Sequence, residues 1–370
     1  MTDPALRLAL DVGPLYGHRT GVGVAVDGLF DALQRSPEVD VAGYLVSGRA
    51  RAIEEHRRLP IPGIVASHVW SRVDHPRVDR WLGSAEVIHG TNYVAPPSSL
   101  PTIISVYDCW FLRHPECANP LVRRAGQTLR RAVARGAWVH VSSEATAVQA
   151  RELLETDRVI MIHLGPPPPP PPVSALSRPL IAARIAGRQF VVAIGTEERR
   201  KDVGLLVQAF SIVGADAPDI WLVLAGARGD DSDAVDAAIE ALPPIVRSRV
   251  ARLGPVDDNT KHWLLRQASV LAYPSLDEGF GFPILEAQLA ATPVVARNVG
   301  AIAEIAGTGA HLVDDRDPEQ FALGLQRVLD PGSTRLTLIE SGNRNVKRFD
   351  WDATASDLIE LYDRARRAVP

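Results

Sequence analysis

Short runs of β-branched and aliphatic residues recur along this chain, and between them lie longer stretches in which apolar positions return at helical spacing. In the first half the runs are Leu6 to Val12, Val41 to Val46, Val87 to His89, Thr102 to Tyr107, Trp138 to Val141 and Val159 to His163. In the second they are Phe190 to Ile194, Ile220 to Ala225, Val250 to Leu253, Val270 to Tyr273, Pro293 to Ala296 and His311 to Val313. Buried strands alternating with amphipathic helices predict parallel sheets joined by crossover helices. Three helical stretches are Val24 to Leu33, Asp202 to Val213 and Asp352 to Ala368. In the second, Leu205, Leu206, Ala209 and Phe210 form one stripe; in the third, Ala355, Leu358, Ile359 and Tyr362 do.

Between the two halves stand Gly165 and a run of prolines from Pro166 to Pro172. Proline has no amide donor and a fixed φ, so such a run predicts an extended spacer; a surface loop that merely tolerates proline is the alternative. The expected organisation is an N-terminal Rossmann-like domain over 1–172, a C-terminal one over 173–350 and a terminal helix over 351–370. Ligands of open α/β sheets bind beyond the carboxyl ends of the strands, so two such sheets facing each other imply a central cleft.

Length and composition agree with two packed domains. The chain has 370 residues, more than one hydrophobic core usually serves, and 46% hydrophobic with 23% charged residues lies far from a disordered composition. A formal charge of −4 argues against a chain-wide surface for nucleic acid, so any anion site must be local. Cys109 and Cys117 suggest neither a disulfide framework nor a zinc site. No secretory signal and no apolar stretch of about 18 residues is visible, which predicts a cytoplasmic protein, in one version peripheral at the inner face of the membrane.

The most informative segment is Glu278-Gly-Phe-Gly-Phe-Pro-Ile-Leu-Glu286. It follows the strand ending at Tyr273. Gly279 and Gly281 let backbone amides approach a ligand, and Pro283 suits the first turn of a helix. The free amides of that helix can face an anion, while Glu278 and Glu286 can accept hydrogen bonds from hydroxyls. Together these features suggest a phosphorylated sugar, although a glutamate pair by itself equally caps or solvates a helix start.

On this segment the chain resembles the retaining glycosyltransferases of family 4, in a bacterial mannosyltransferase-like subset. The resemblance continues through Glu286-Ala-Gln-Leu-Ala-Ala-Thr-Pro-Val-Val-Ala296, Glu304-Ile-Ala-Gly307, Leu253-Gly-Pro-Val256 and Gly195-Thr-Glu-Glu-Arg-Arg-Lys-Asp202. It implies the α/β GT-B fold, two Rossmann-like doubly wound domains facing a central cleft. It further implies an acceptor on the N-terminal domain, a nucleotide-diphosphate sugar on the C-terminal domain, and a last helix that crosses back onto the first domain. By the same resemblance Glu278 contacts the donor hexose and Glu286 the nucleotide ribose. Arg200 and Lys201 would neutralise the diphosphate, with Thr196, Val256, Gly279, Phe280, Gly281, Phe282 and Pro283 lining the donor site. A solvated basic run is the plain alternative for the arginines and lysine.

The N-terminal half matches through Thr20-Gly-Val-Gly23, whose Gly21 and Gly23 would sit near the donor phosphates in a loop ahead of the first helix, and through His89-Gly-Thr-Asn-Tyr93. Tyr107-Asp108 stands where the family has His-Asp near the reacting hexose; tyrosine still donates a hydrogen bond but does not titrate near neutrality. Arg199 replaces a common proline, Asp202 an asparagine, Ala291 a glycine and Arg297 a small polar residue. A lone histidine such as His89 is more often structural.

No metal or organic cofactor is expected. Asp231-Ser-Asp233 and Asp315-Arg-Asp317 look like metal-binding strings but fall at predicted helix starts, where aspartate caps. Leu121 to Arg135 carries Arg123, Arg124, Arg130, Arg131 and Arg135 without an acid. Its basic face is either solvated or meets anionic headgroups or a carrier phosphate. The reading as a whole is a retaining hexosyltransferase, mannose from GDP-mannose first, acting on a saccharide or carrier-linked glycan. A sugar-nucleotide epimerase of the same fold and a catalytically impaired glycan-binding protein are the alternatives.

Overall fold

A computed structural model describes residues 5–16, 20–47, 56–168, 185 and 187–368. The chain divides into two compact units: Met1–Pro167 together with Phe349–Pro370, and Pro168–Arg348. Pro169 to Pro172, most of the expected spacer, lie outside the described residues.

The first unit holds a seven-stranded parallel sheet built from β1 (Leu6–Asp11), β2 (Val39–Val46), β3 (Arg57–Leu59), β4 (Val87–Gly90), β5 (Thr102–Ser105), β6 (Trp138–Val141) and β7 (Val159–Met161), in the order β3-β2-β1-β4-β5-β6-β7. Strand β3 is absent from the apolar pattern because it is a short edge strand, with Arg57 and Arg58 exposed and Leu59 buried. Strand β5 stops at Ser105 rather than Tyr107. One face of the sheet packs Leu6, Leu8, Leu10, Val87 and Ile103 against Leu29 and Leu33 of helix Gly21–Arg35 and Leu358, Ile359 and Tyr362 of helix Trp351–Arg367. The terminal helix therefore belongs to the first unit's core.

Trp351 fixes where that helix enters. A Cβ on Gly28 or Gly165 would fall 2.3 or 2.2 Å from its indole ring, so only glycine admits the ring at both places. The indole nitrogen donates to the Pro166 carbonyl at 2.8 Å.

The second unit contains β8 (Phe190–Ile194), β9 (Trp221–Ala225), β10 (Val250–Gly254), β11 (Val270–Tyr273), β12 (Val294–Arg297) and β13 (Ala310–Val313), all parallel, in the order β10-β9-β8-β11-β12-β13. Alternate residues of β8 and β9 feed two different cores: Val191, Leu222 and Leu224 join one, Val192, Trp221 and Val223 the other. A strand buried on both faces reads as a continuous apolar run, which is why these strands were visible in the sequence. Strand order reverses between β8 and β11, and at such a point an open α/β sheet forms a crevice beyond its strand ends.

Candidate functional site

Two loops meet at that crevice. After β8 the chain passes Gly195, makes a turn at Arg199–Lys201 and enters helix Val203–Asp216 through Asp202, whose φ of 47° is left-handed. Aspartate and asparagine tolerate this conformation better than other side chains do, so Asp202 meets the same backbone demand as the asparagine it replaces. Its carboxylate accepts from Arg316 at 2.7 and 3.0 Å. After β11 the segment Pro274–Gly281 leads into helix Phe282–Leu289, with Gly281 at φ 95° and Pro283 in the first turn. The Leu276 amide donates to the Arg200 carbonyl at 2.7 Å and fixes one loop against the other.

Glu278 lies between the two cations of the first loop. Arg200 Nη1 donates to Glu278 Oε2 at 2.5 Å, and Lys201 Nζ donates to Oε1. Lys201 also donates to the Tyr273 hydroxyl at 3.1 Å. Burial would raise the Glu278 carboxyl, but Arg200 and Lys201 outweigh it and hold the group at about 2. Burial lowers Lys201 despite that partner. The result is a permanently ionised carboxylate of very low basicity.

Glu286, on the first turns of its helix, is buried and accepts from Lys261 Nζ at 2.7 Å. Lys261 comes from helix Asp258–Gln267, which follows β10 and the partly buried Val256. Sequence reading passed over Lys261 because a single lysine on a polar helix has no signature. The rings of Phe280 and Phe282 are buried edge to face, 5.1 Å apart, so these residues offer a ligand only backbone; Gly279 is buried, and Thr196 and Pro283 keep partial exposure.

One sequence expectation, the loop position of Gly21 and Gly23, needs correction. Gly21 and Gly23 do not precede the first helix but form its first turn, since the helix runs Gly21–Arg35; their amides are the unbonded ones of a helix start. The Tyr107 hydroxyl is buried beside Ser105. Asp108 is occupied: it accepts from the Tyr93 hydroxyl at 2.9 Å and the Trp110 amide at 3.1 Å. His89 is fully buried in a chain of hydrogen bonds and is structural. Of the aspartate strings, Asp317 caps its helix through the Glu319 amide at 2.7 Å, whereas Asp231 occupies a cap position without a side-chain bond.

The arginine-rich segment is helix Pro120–Ala134, and its basic face is less free than its sequence suggests. Asp74 accepts from Arg131 at 2.9 Å and pairs with Arg135 as well. Arg124 donates to Ser67 Oγ at 3.3 Å. Arg123 remains exposed.

Known proteins decide the family. The family described as Glycosyl transferases group 1 matches residues 182–345. A phosphatidyl-myo-inositol mannosyltransferase of Mycobacterium leprae is 30% identical over 351 residues, covering 89% of this chain and 86% of its own. The chain belongs to the group 1 glycosyltransferases. The O-antigen chain mannosyltransferase B of Escherichia coli is 26% identical to this glycosyltransferase over 79% of the chain and 78% of its own length. Among solved structures, sucrose-phosphate synthase from Thermosynechococcus elongatus superposes with a TM-score of 0.72 at 19% identity, covering 98% of this chain and 100% of that one. WaaG, a glycosyltransferase involved in lipopolysaccharide biosynthesis, gives 0.70 at 16% identity over 96% and 99%. These likenesses establish a GT-B fold for this group 1 glycosyltransferase.

Proposed function

We propose that this glycosyltransferase is a retaining hexosyltransferase. It takes mannose from GDP-mannose, bound by the second unit, and passes it to a saccharide or carrier-linked glycan held by the first. The observation that carries this reading is the clasp of Glu278 by Arg200 and Lys201 at the strand-order reversal of the second sheet. Two cations beside one carboxylate suit a diphosphate leaving group, whose growing charge they stabilise while Glu278 accepts from a donor hydroxyl. A carboxylate held at about 2 is a poor nucleophile and a poor base, which favours front-face substitution in which the leaving phosphate receives the acceptor proton. Mannose is supported by two relatives named as mannosyltransferases.

The test is incubation with GDP-mannose and methyl α-D-mannopyranoside, followed by proton NMR of the product. An α-linked disaccharide is expected. A β-linked product overturns retention, and an epimerised donor without transfer favours the epimerase reading.

We further propose that the first unit meets an anionic membrane surface when its acceptor is carrier-linked. Helices Gly63–Trp70 and Pro120–Ala134 run side by side in one direction, since Ser67 meets Arg124 and Asp74 meets Arg131. Their starts expose Ile64, Val65 and Leu121, and Arg123 in the longer helix and Arg72 just past the shorter one are exposed too. Aliphatic side chains for the bilayer interface beside arginines for headgroups make an amphipathic surface suited to anionic lipid.

A further inference from the structure

The first sheet also reverses its strand order, between β1 and β4, and the carboxyl end of β1 is Asp11. The Asp11 carbonyl accepts from Thr91 Oγ1, just beyond β4, at 2.7 Å, which ties the two strand ends together. One carboxyl oxygen of Asp11 accepts from the Gly13 amide at 2.9 Å. Among the described residues that amide is its sole hydrogen-bond partner, and no lysine or arginine pairs with it. Asp11 stands in register with Tyr44 of β2, so both side chains leave the sheet on one face. The Tyr44 hydroxyl is buried, has no hydrogen-bond partner among the described residues, and senses the charge of Asp11.

Two polar groups with unused hydrogen-bonding capacity therefore meet at a ligand-binding position of the sheet, where a folded core would normally satisfy them or replace them with apolar residues. Asp11 keeps partial exposure, while the Tyr44 phenol lies deeper. Burial raises the Asp11 carboxyl to about 7, so near neutrality it both donates and accepts. An unpaired carboxyl repels phosphate and carboxylate ligands. Hydroxyls suit it, each able to donate to one oxygen and accept from a protonated one.

We propose that Asp11, backed by Tyr44, binds hydroxyls of a neutral polyol or saccharide acceptor in the crevice between β1 and β4. The inference rests on the reading that the first unit takes the acceptor, and adds the residue that recognises it and the charge of the part recognised.

Saturation-transfer NMR on the full chain tests it, with methyl α-D-mannopyranoside, methyl α-D-glucopyranoside and myo-inositol as probes and GDP present. At least one probe is expected to show transfer with the wild type. Asp11→Ala should weaken that binding about tenfold or more, and Asp11→Asn by less, as expected on removing or altering one ligand hydrogen bond. GDP affinity by calorimetry should not change in either variant. Wild-type binding retained in Asp11→Ala, or no binding of any probe, overturns the proposal, as does a parallel loss of GDP affinity, which marks a structural role. Probe binding that depends on Asp11 in a protein that transfers nothing from GDP-mannose leaves this inference standing and overturns the donor assignment instead.

Discussion

Arg200 Nη1 and Glu278 Oε2 lie 2.5 Å apart in a buried clasp that Lys201 completes from the other side. Glu278→Gln keeps the shape but takes from Lys201 its buried counter-charge and leaves Arg200 with Glu198, at 3.1 Å. Turnover is expected to fall about a hundredfold, the scale of one lost preorganised electrostatic contact. Stability changes too, with a definite pH dependence. The Glu278 carboxyl is lowered from 4.5 to about 2, so its contribution is complete above pH 4.5 and disappears as pH falls towards 2. Melting temperatures of wild type and Glu278→Gln should therefore differ at pH 7 and converge in acid. A constant gap across that range would contradict the electrostatic role.

Glu286 and Lys261 form the second buried pair, at 2.7 Å. Glu286→Ala removes the proposed ribose acceptor, and Lys261→Ala frees the carboxylate that Lys261 holds in place. Calorimetric titration with GDP is expected to show weaker binding in both, about tenfold, the equivalent of one hydrogen bond to a charged group. Unchanged affinity in Glu286→Ala would remove Glu286 from the nucleotide site.

Tyr362, His89, Ser105 and His140 form a buried relay whose direction is fixed by its last member. His140 Nε2 must donate to the Ile162 carbonyl at 3.1 Å, so its Nδ1 accepts from Ser105. Ser105 then accepts from His89 Nε2, and His89 Nδ1 accepts from the Tyr362 hydroxyl, each at 2.8 Å. Tyr362→Phe strands His89 Nδ1 and should cost about 1–3 kcal/mol in urea unfolding. Burial lowers His140 from 6.5 to about 4 and His89 well below 6.5, so stability present above pH 6.5 is lost as pH falls through the window beneath it. A melting temperature that did not fall between pH 7 and 4 would show that neither ring is held neutral by the fold.

Ala291 has a φ of 56°. Alanine bears a steric penalty there that glycine does not. Ala291→Gly is expected to raise unfolding free energy by about 1 kcal/mol. A loss of stability would mean that the alanine methyl packs usefully enough to offset the strain.

Sedimentation with vesicles tests the membrane surface. Binding should require anionic lipid, fade with salt, and drop when Ile64 and Val65 become serine or Arg123 becomes glutamine. Arg131→Gln should act mainly on stability, because its partner is Asp74. Equal binding to neutral vesicles, or none at low salt, would remove the membrane from the proposal.

Two α/β units and the loops after β8 and β11 were legible in the chain's own pattern. Strands buried on both faces must be apolar throughout, so β8, β9 and β11 announced themselves. The glycine, proline and acidic residues of Glu278–Glu286 and the basic turn Arg199–Lys201 are local backbone and charge requirements, readable without neighbours. Tertiary structure decided which charges remain available. Asp74 is remote in sequence from Arg131 and Arg135, yet it turns part of a basic face into ion pairs. Lys261 acquires meaning only beside Glu286. Asp11 looks like an ordinary strand end until β2 brings Tyr44 into register with it. Pairings of this kind depend on chain segments that approach only when the sheets form, so no pattern within a single segment encodes them.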